Sequence, residues 1–146
     1  LGGRIEGATI WLVGAGSAGR AIAYAAAEAG VKRLFIDDQS DERAQKLAGE
    51  LAAAFVGVKA QSGRPTNLHS VDIAVNATPC GMEPDDDLPF DPTELRSDSW
   101  VADTILIPEI THLMAEAERH GCRLFPGRKM VESQVGDYAR YFGWKE

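Results

Sequence analysis

Apolar and polar positions alternate in blocks along the chain, and the block length changes from strand-like to helix-like and back. Ala8 to Val13 is a short apolar run that predicts a strand. Gly14 to Gly19 interrupts it, and Ala18 to Ala29 is a small-residue, apolar stretch that predicts a helix ended by Gly30. Val31 to Ile36 predicts a second strand, closed by Asp37 and Asp38. Ser40 then reads as a helix N-cap, and Leu47, Leu51 and Phe55 recur at helical spacing, with Ala44, Ala48 and Ala52 beside them. Gly57 is expected to end that helix.

The second half repeats the alternation. Val58 to Ala60 predicts a short strand, Leu68 to Val71 a brief helical turn, and Asp72 to Asn76 a strand buried on both faces. Ala77 to Pro92 carries two Gly/Pro signals and reads as a long loop, a feature that compact domains reserve mainly for function. Trp100 to Ile105 predicts a fifth strand, Thr111 to His120 a helix ended by Gly121, Arg123 to Phe125 a sixth strand, and Met130 to Phe142 a closing helix. Strands alternating with helices imply a parallel sheet covered on both faces. The expected fold is α/β, a Rossmann-type doubly wound, mainly parallel six-stranded sheet. Such sheets bind ligands beyond the carboxyl ends of the strands, where the strand order reverses.

The glycine cluster gives that edge its chemistry. Gly14-Ala15-Gly16-Ser17-Ala18-Gly19 fits G-x-G-x-x-G between a strand and a helix. Gly14 permits the tight turn, Gly16 a close approach to a pyrophosphate, and Gly19 close packing of helix on strand. Free N–H groups at the helix start favour phosphate. Asp38 follows at the usual distance of about 20 residues, where an acid accepts from the adenosine ribose.

Composition narrows the choice. The 146 residues suffice for one domain, and the 45% hydrophobic and 25% charged content is ordinary for a globular protein. A net charge of -7 argues against nucleic acid or an anionic membrane as the main partner. No apolar run reaches the ~18 residues of a membrane span. Cys80 and Cys122 make neither a zinc set nor a disulfide framework, so no metal is expected, and a cytoplasmic setting is the simplest expectation. Cys80 reads as a loop filler and Cys122 as core. His69, His112 and His120 lack metal-ligand spacing and read as surface or capping residues. Asp85, Asp86 and Asp87 read as a solvated loop, and Asp103 as a structural strand-end cap.

Four ordered motifs then carry a family resemblance. Besides the glycine motif, Asn76-Ala77-Thr78-Pro79-Cys80-Gly81-Met82 resembles the N-A-T-P-x-G-M of the shikimate/quinate dehydrogenase family. Asp103, Pro108 and Thr111 fit its D-x-x-Y-x-P-x-x-T segment, and Gly127, Met130 and Gln134 fit its G-x-x-M-L-x-x-Q. The resemblance implies an NAD(P)-dependent oxidoreductase acting between a cyclic hydroxy acid and its keto form, such as shikimate with 3-dehydroshikimate or quinate with 3-dehydroquinate. It implies that Gly14, Ala15, Gly16, Ser17 and Ala18 serve the pyrophosphate, that Gly19 belongs to the same cofactor-binding turn, and that Asp38, Gln39 and Arg43 surround the adenosine ribose. Ala77 and Thr78 would run along the cofactor, Thr104 and Gly127 would lie near the nicotinamide, and Gln134 would reach the substrate.

Three departures qualify the likeness. NADP-using members resemble N-R-T-x-x-R after the second strand, whereas this chain has Asp38-Gln39-Ser40-Asp41-Glu42-Arg43, which predicts NAD over NADP while Arg43 keeps NADP in play. Leu106 stands where the family has a substrate-contacting tyrosine. The family's catalytic lysine-aspartate pair belongs to an N-terminal substrate domain, so no catalytic residue is assigned in this chain. Residues 1–7 are then expected to be a linker from that missing domain, and 8–146 the dinucleotide-binding domain, inactive alone. The rival expectation is a dinucleotide-binding sensor or regulatory module without chemistry of its own.

Overall fold

The computed structural model describes residues 4–132. Six strands form one sheet: β1 (Thr9–Val13), β2 (Arg33–Asp37), β3 (Lys59–Ser62), β4 (Ile73–Asn76), β5 (Trp100–Asp103) and β6 (Arg123–Phe125). Their order is β3-β2-β1-β4-β5-β6, and every neighbouring pair is parallel, so the expected mainly parallel sheet is wholly parallel among the described residues. Three helices connect them: α1 (Ser17–Glu28), α2 (Asp41–Ala54) and α3 (His112–His120).

Side-chain alternation along each strand feeds two cores. On one face Ile10, Leu12, Leu34, Ile36, Ile73 and Val75 pack against Ala23, Ala26 and Ala27 of α1 and Leu47 and Leu51 of α2. The alanines of α1 let that helix lie close on the sheet. On the other face Trp11, Ala74 and Val101 pack against Leu113 and Ala117 of α3, and against Leu68, Phe90 and Leu95 from the connecting segments. Those segments contain two short 3-10 turns, Leu68–Ser70 and Pro92–Glu94. The doubly wound Rossmann-type arrangement is therefore present, with β4 completely buried as its apolar run implies.

Several boundaries shift from expectation. The third strand covers Lys59–Ser62 rather than Val58 to Ala60. As an edge strand its polar residues pair with β2 through the backbone, and no apolar alternation announces them. The second helix ends at Ala54, before Gly57. The fifth strand stops at Asp103, because that side chain turns back to accept from the Ile105 amide. The last helical stretch begins at 127, not at Met130, and is described through 132.

β1 lies between β2 and β4. The chain leaves β1 for α1 on one face, whereas β4 leads towards β5 and α3 on the other. The crevice between the ends of β1 and β4 is thus the switch point of the sheet, and the Gly14 and Ala77 turns both open there.

Candidate cofactor site

The glycine turn is built by contacts that exclude side chains. Gly14 has φ +105°, and a Cβ there would sit 2.6 Å from the Ala77 carbonyl oxygen. A Cβ on Gly19 would sit 1.8 Å from the Gly14 carbonyl oxygen. Gly19 is buried beneath the turn, so its role is to seat α1 and not to face a ligand. Gly16 differs from both. Its φ is −75°, and a Cβ there would meet nothing within 4 Å. Among the described residues nothing crowds a side chain at 16, so the start of α1 is left open to a ligand.

Gly16 is also the N-cap of α1, and no side chain caps that end. The N–H groups of the first turn therefore lack a side-chain acceptor at the cap and, with the helix dipole, suit an anion. A cavity of about 310 Å³ opens here. Gly14, Gly16, Asp38, Arg43 and Thr78 line it, with Gln39 and Ala77.

Asp38 organises the end of this cavity beyond β2. Its Oδ2 accepts from the Ala15 amide at 2.7 Å, and its Oδ1 from the Ser40 amide at 2.8 Å and from Arg43 Nη2 at 2.8 Å. Burial pushes this carboxyl up, but the Ala15 and Ser40 amides and the Arg43 guanidinium outweigh it and hold it below the usual carboxylate value. Asp38 is thus an anion across the neutral range. Ser40 caps α2 by accepting from the Arg43 amide, as its position in the sequence predicts.

A buried polar relay positions the middle of the site. Asn76 Oδ1 accepts from the Thr78 amide and hydroxyl, and Asn76 Nδ2 donates to the Cys80 carbonyl and to Asp103 Oδ1. Asp103 also accepts from the Ile105 amide and, at 2.8 Å, from the Thr111 hydroxyl. Thr111 in turn caps α3 by accepting from the Met114 amide. The ends of β4, β5 and α3 are locked together, which fixes Thr78 on one side and Thr104 on the other. Burial pushes the Asp103 carboxyl up, and the donors around it only partly offset that. Its expected structural role holds.

Farther along the same edge, Thr104, Leu106, Gly127 and Met130 line a largely apolar cavity of about 230 Å³, with Ala18 and Ala21 of α1. A Cβ on Gly127 would lie 2.6 Å from the Ile105 carbonyl oxygen, so only glycine lets the last helical stretch start against that strand end.

The structure thus gathers Gly14, Gly16, Asp38, Gln39, Arg43, Ala77 and Thr78 around one cavity and Ala18, Thr104 and Gly127 around the next. Ala15 joins through its amide and Ser17 begins α1. Gln134 lies outside the described residues. One reading needs correction. Asp86 is not merely solvated: its Oδ2 accepts from the Gly81 and Glu83 amides and closes the loop after β4. An aspartate shortly after a Gly-Met turn is the available signal for such a local cap.

The family model described as shikimate/quinate 5-dehydrogenase matches residues 1–81. The chain belongs to that family. It is 37% identical over 134 residues to a shikimate dehydrogenase (NADP(+)) of Arthrobacter sp. strain FB24, covering 89% of this chain and 46% of that protein. It is 38% identical over 135 residues to a quinate/shikimate dehydrogenase (NAD(+)) of Corynebacterium glutamicum strain R, covering 89% of this chain and 47% of that one. In three dimensions it resembles a quinate dehydrogenase from Corynebacterium glutamicum in complex with NAD, with a TM-score of 0.80 and 34% identity over 94% of this chain and 50% of that chain. The chain spans about half the length of the curated relatives it matches. Among the described residues no helix is long and apolar enough to cross a membrane.

Proposed function

We propose that this chain is the nicotinamide-cofactor portion of a shikimate/quinate-type dehydrogenase, with residues 1–7 as the linker from a substrate domain and 8–146 as the cofactor domain. One observation carries the reading. Gly16 lacks a side chain where the protein would tolerate one, at an uncapped helix start facing a cavity. The sterics, the dipole and the ribose acid beside them suit a dinucleotide.

In this reading the amides of Gly16, Ser17 and Ala18 hold the pyrophosphate. Asp38 and Gln39 receive the adenosine ribose, with Arg43 beside them. Ala77 and Thr78 support the chain of the cofactor, held in place by Asn76. Thr104 and Gly127 border the nicotinamide, and Gln134 reaches the substrate. A nicotinamide held there would supply hydride transfer. This chain orients the cofactor through its backbone and shields one side of it with Ala18, Ala21 and Met130. The proton that leaves the hydroxyl needs a base, and the family resemblance assigns it to the preceding domain. The substrate is a cyclic hydroxy acid, with Leu106 withdrawing one polar contact from the site.

NAD is the preferred cofactor. A fixed carboxylate at 38 repels a 2′-phosphate and accepts from a 2′-hydroxyl. Calorimetric titration of the chain with NAD and NADP tests both points. NAD binding with NADP at least about tenfold weaker supports the reading. Equal or tighter NADP binding refutes the preference, and binding of neither refutes the cofactor role of the isolated chain.

A further inference from the structure

A second cavity, of about 370 Å³, opens at the far end of the sheet. It lies at the amino ends of β4, β5 and β6, beside Asp72, Trp100 and Arg123, whereas the crevice of Gly14 and Ala77 lies at the carboxyl ends. Three arginines line it: Arg4, Arg96 and Arg123. Arg96 is fully engaged. Its Nη2 donates to Asp72 Oδ1 at 3.3 Å, its Nε to Asp98 and its Nη1 to the His69 carbonyl at 3.1 Å. Asp72 also accepts from the Thr9 amide through Oδ2. Arg96, with Arg123 at longer range, holds the Asp98 carboxyl below its usual value. Both acids are therefore committed to Arg96. Glu6, the remaining acid of the wall, has its Cγ beside Gly30, on the β2 side.

Arg4 and Arg123 are placed differently. Their guanidiniums lie 5.5 and 5.8 Å from the centroid of the same Trp100 ring, and among the described residues neither forms an ion pair. The indole face attracts each cation but cancels neither charge. Two uncompensated positive charges thus face one cavity, in a chain whose net charge is -7.

We propose that Arg4, Trp100 and Arg123 form an effector site for a dianionic phosphate group. A guanidinium fork takes two oxygens of an anion. A phosphate, with three terminal oxygens and two charges, can therefore engage both forks, whereas a monocarboxylate satisfies only one. Trp100 holds the guanidiniums by their faces and leaves their N–H edges to the ligand. Arg4 precedes β1 and Arg123 opens β6, so a bridging phosphate ties the entry segment to the edge of the sheet. The site lies at the opposite end of the strands from Gly16, so its ligand and a dinucleotide bind without competing. Inorganic phosphate and a small phosphate monoester share the recognised group.

The test uses the full 146-residue chain with inorganic phosphate, glycerol 3-phosphate and acetate as probes, at about pH 7.5, where a phosphate group is mainly dianionic. Two-dimensional NMR reads the indole N–H of Trp100, which the spectrum of Trp100→Phe identifies. This signal reports the cavity at the amino ends of the strands and not an anion at the start of α1. Both phosphates should shift it saturably, with acetate at least about tenfold weaker. Arg4→Gln and Arg123→Gln should each weaken phosphate binding about fivefold or more. Both side chains are exposed, so the fold should tolerate either change. Glycerol 3-phosphate binding tighter than inorganic phosphate assigns the site to a phosphorylated organic ligand; equal or weaker binding assigns it to the free anion. Three results overturn the site: a Trp100 signal that neither phosphate moves, variants that bind phosphate as tightly as the wild type, or acetate that binds as tightly as phosphate. None of the three bears on dinucleotide binding at Gly16.

Discussion

A Cβ on Gly19 would stand 1.8 Å from the carbonyl oxygen of Gly14, whereas one on Gly16 would stand in open space. The two motif glycines therefore answer to different constraints, one internal to the fold and one external to it. Gly19→Ala should cost about 3 kcal/mol, the upper end for overpacking, because only backbone can move to relieve the clash. Gly16→Ala should change stability by less than about 1 kcal/mol, since a modest gain in the unfolded state offsets a weaker cap. Its nucleotide affinity should nevertheless fall about tenfold or more, because a methyl group takes the place of a phosphate oxygen near the helix start. Urea denaturation and calorimetry on both variants separate the two effects. Equal stability losses would show that Gly16 also serves the fold.

The difference between these glycines also marks what the sequence made legible. The β1–α1–β2 unit is contiguous, so its period changes, its motif and its closing acid are all visible in one stretch. Asp38 was readable from spacing as the candidate ribose acid. Its bond to the Ala15 amide was not, because it links positions 23 residues apart through the fold. Asp103 was readable as structural, but not the relay that joins it to Asn76 and Thr111, which arises only when β4 and β5 lie in register. The closing helix was expected from Met130, and its start at Gly127 was not legible. Glycine is required there because the Thr104 and Ile105 backbone leaves no space for a side chain. Asp86 was misread for a simpler reason: three adjacent aspartates look alike until a turn selects one of them.

Thr111 and Asp103 should act as one unit. Thr111→Val removes both the donor to Asp103 and the cap acceptor for the Met114 amide. A loss of about 2 kcal/mol is expected, from one charge-assisted hydrogen bond and one cap. Thr111→Ser keeps the hydroxyl and should recover most of it. Combined with Asp103→Asn, Thr111→Val should cost less than the sum of the two, by about 1 kcal/mol, since the shared bond is removed only once. Additive losses in urea melts would mean that the two side chains contribute independently.

Asp103 also sets the sign of one pH dependence. Its folded value is raised above 3.8 by burial. The contribution of this group to stability is therefore full below that ordinary value and is lost as pH rises through the folded value. Relative to Asp103→Asn, which does not titrate, the wild type should have its greatest advantage near pH 4 and its smallest near about pH 8. Asp38 has the opposite sign. Its folded value is lowered, so its contribution is present above the ordinary 3.8 and lost as pH falls through the folded value. Urea melts of the wild type, Asp103→Asn and Asp38→Asn from about pH 2 to pH 8 check both signs, and an advantage of the wild type over Asp103→Asn that grows towards pH 8 would contradict the burial argument.

Gly127 offers a way to test the two ends of the cofactor separately. A Cβ there would lie 2.6 Å from the Ile105 carbonyl oxygen and 2.9 Å from the Thr104 carbonyl oxygen. Both obstacles are backbone, so Gly127→Ala must push the last helical stretch away from the end of β5, at a cost of about 1–3 kcal/mol. The displaced wall belongs to the cavity of Thr104, Leu106 and Met130, and not to the cavity beside Asp38. NAD affinity should therefore fall about fivefold or more, while adenosine 5′-phosphate affinity stays within about twofold, since distant sites contribute nearly independently. If both ligands weaken together, the whole domain has loosened. If neither weakens, the nicotinamide does not lie against Gly127.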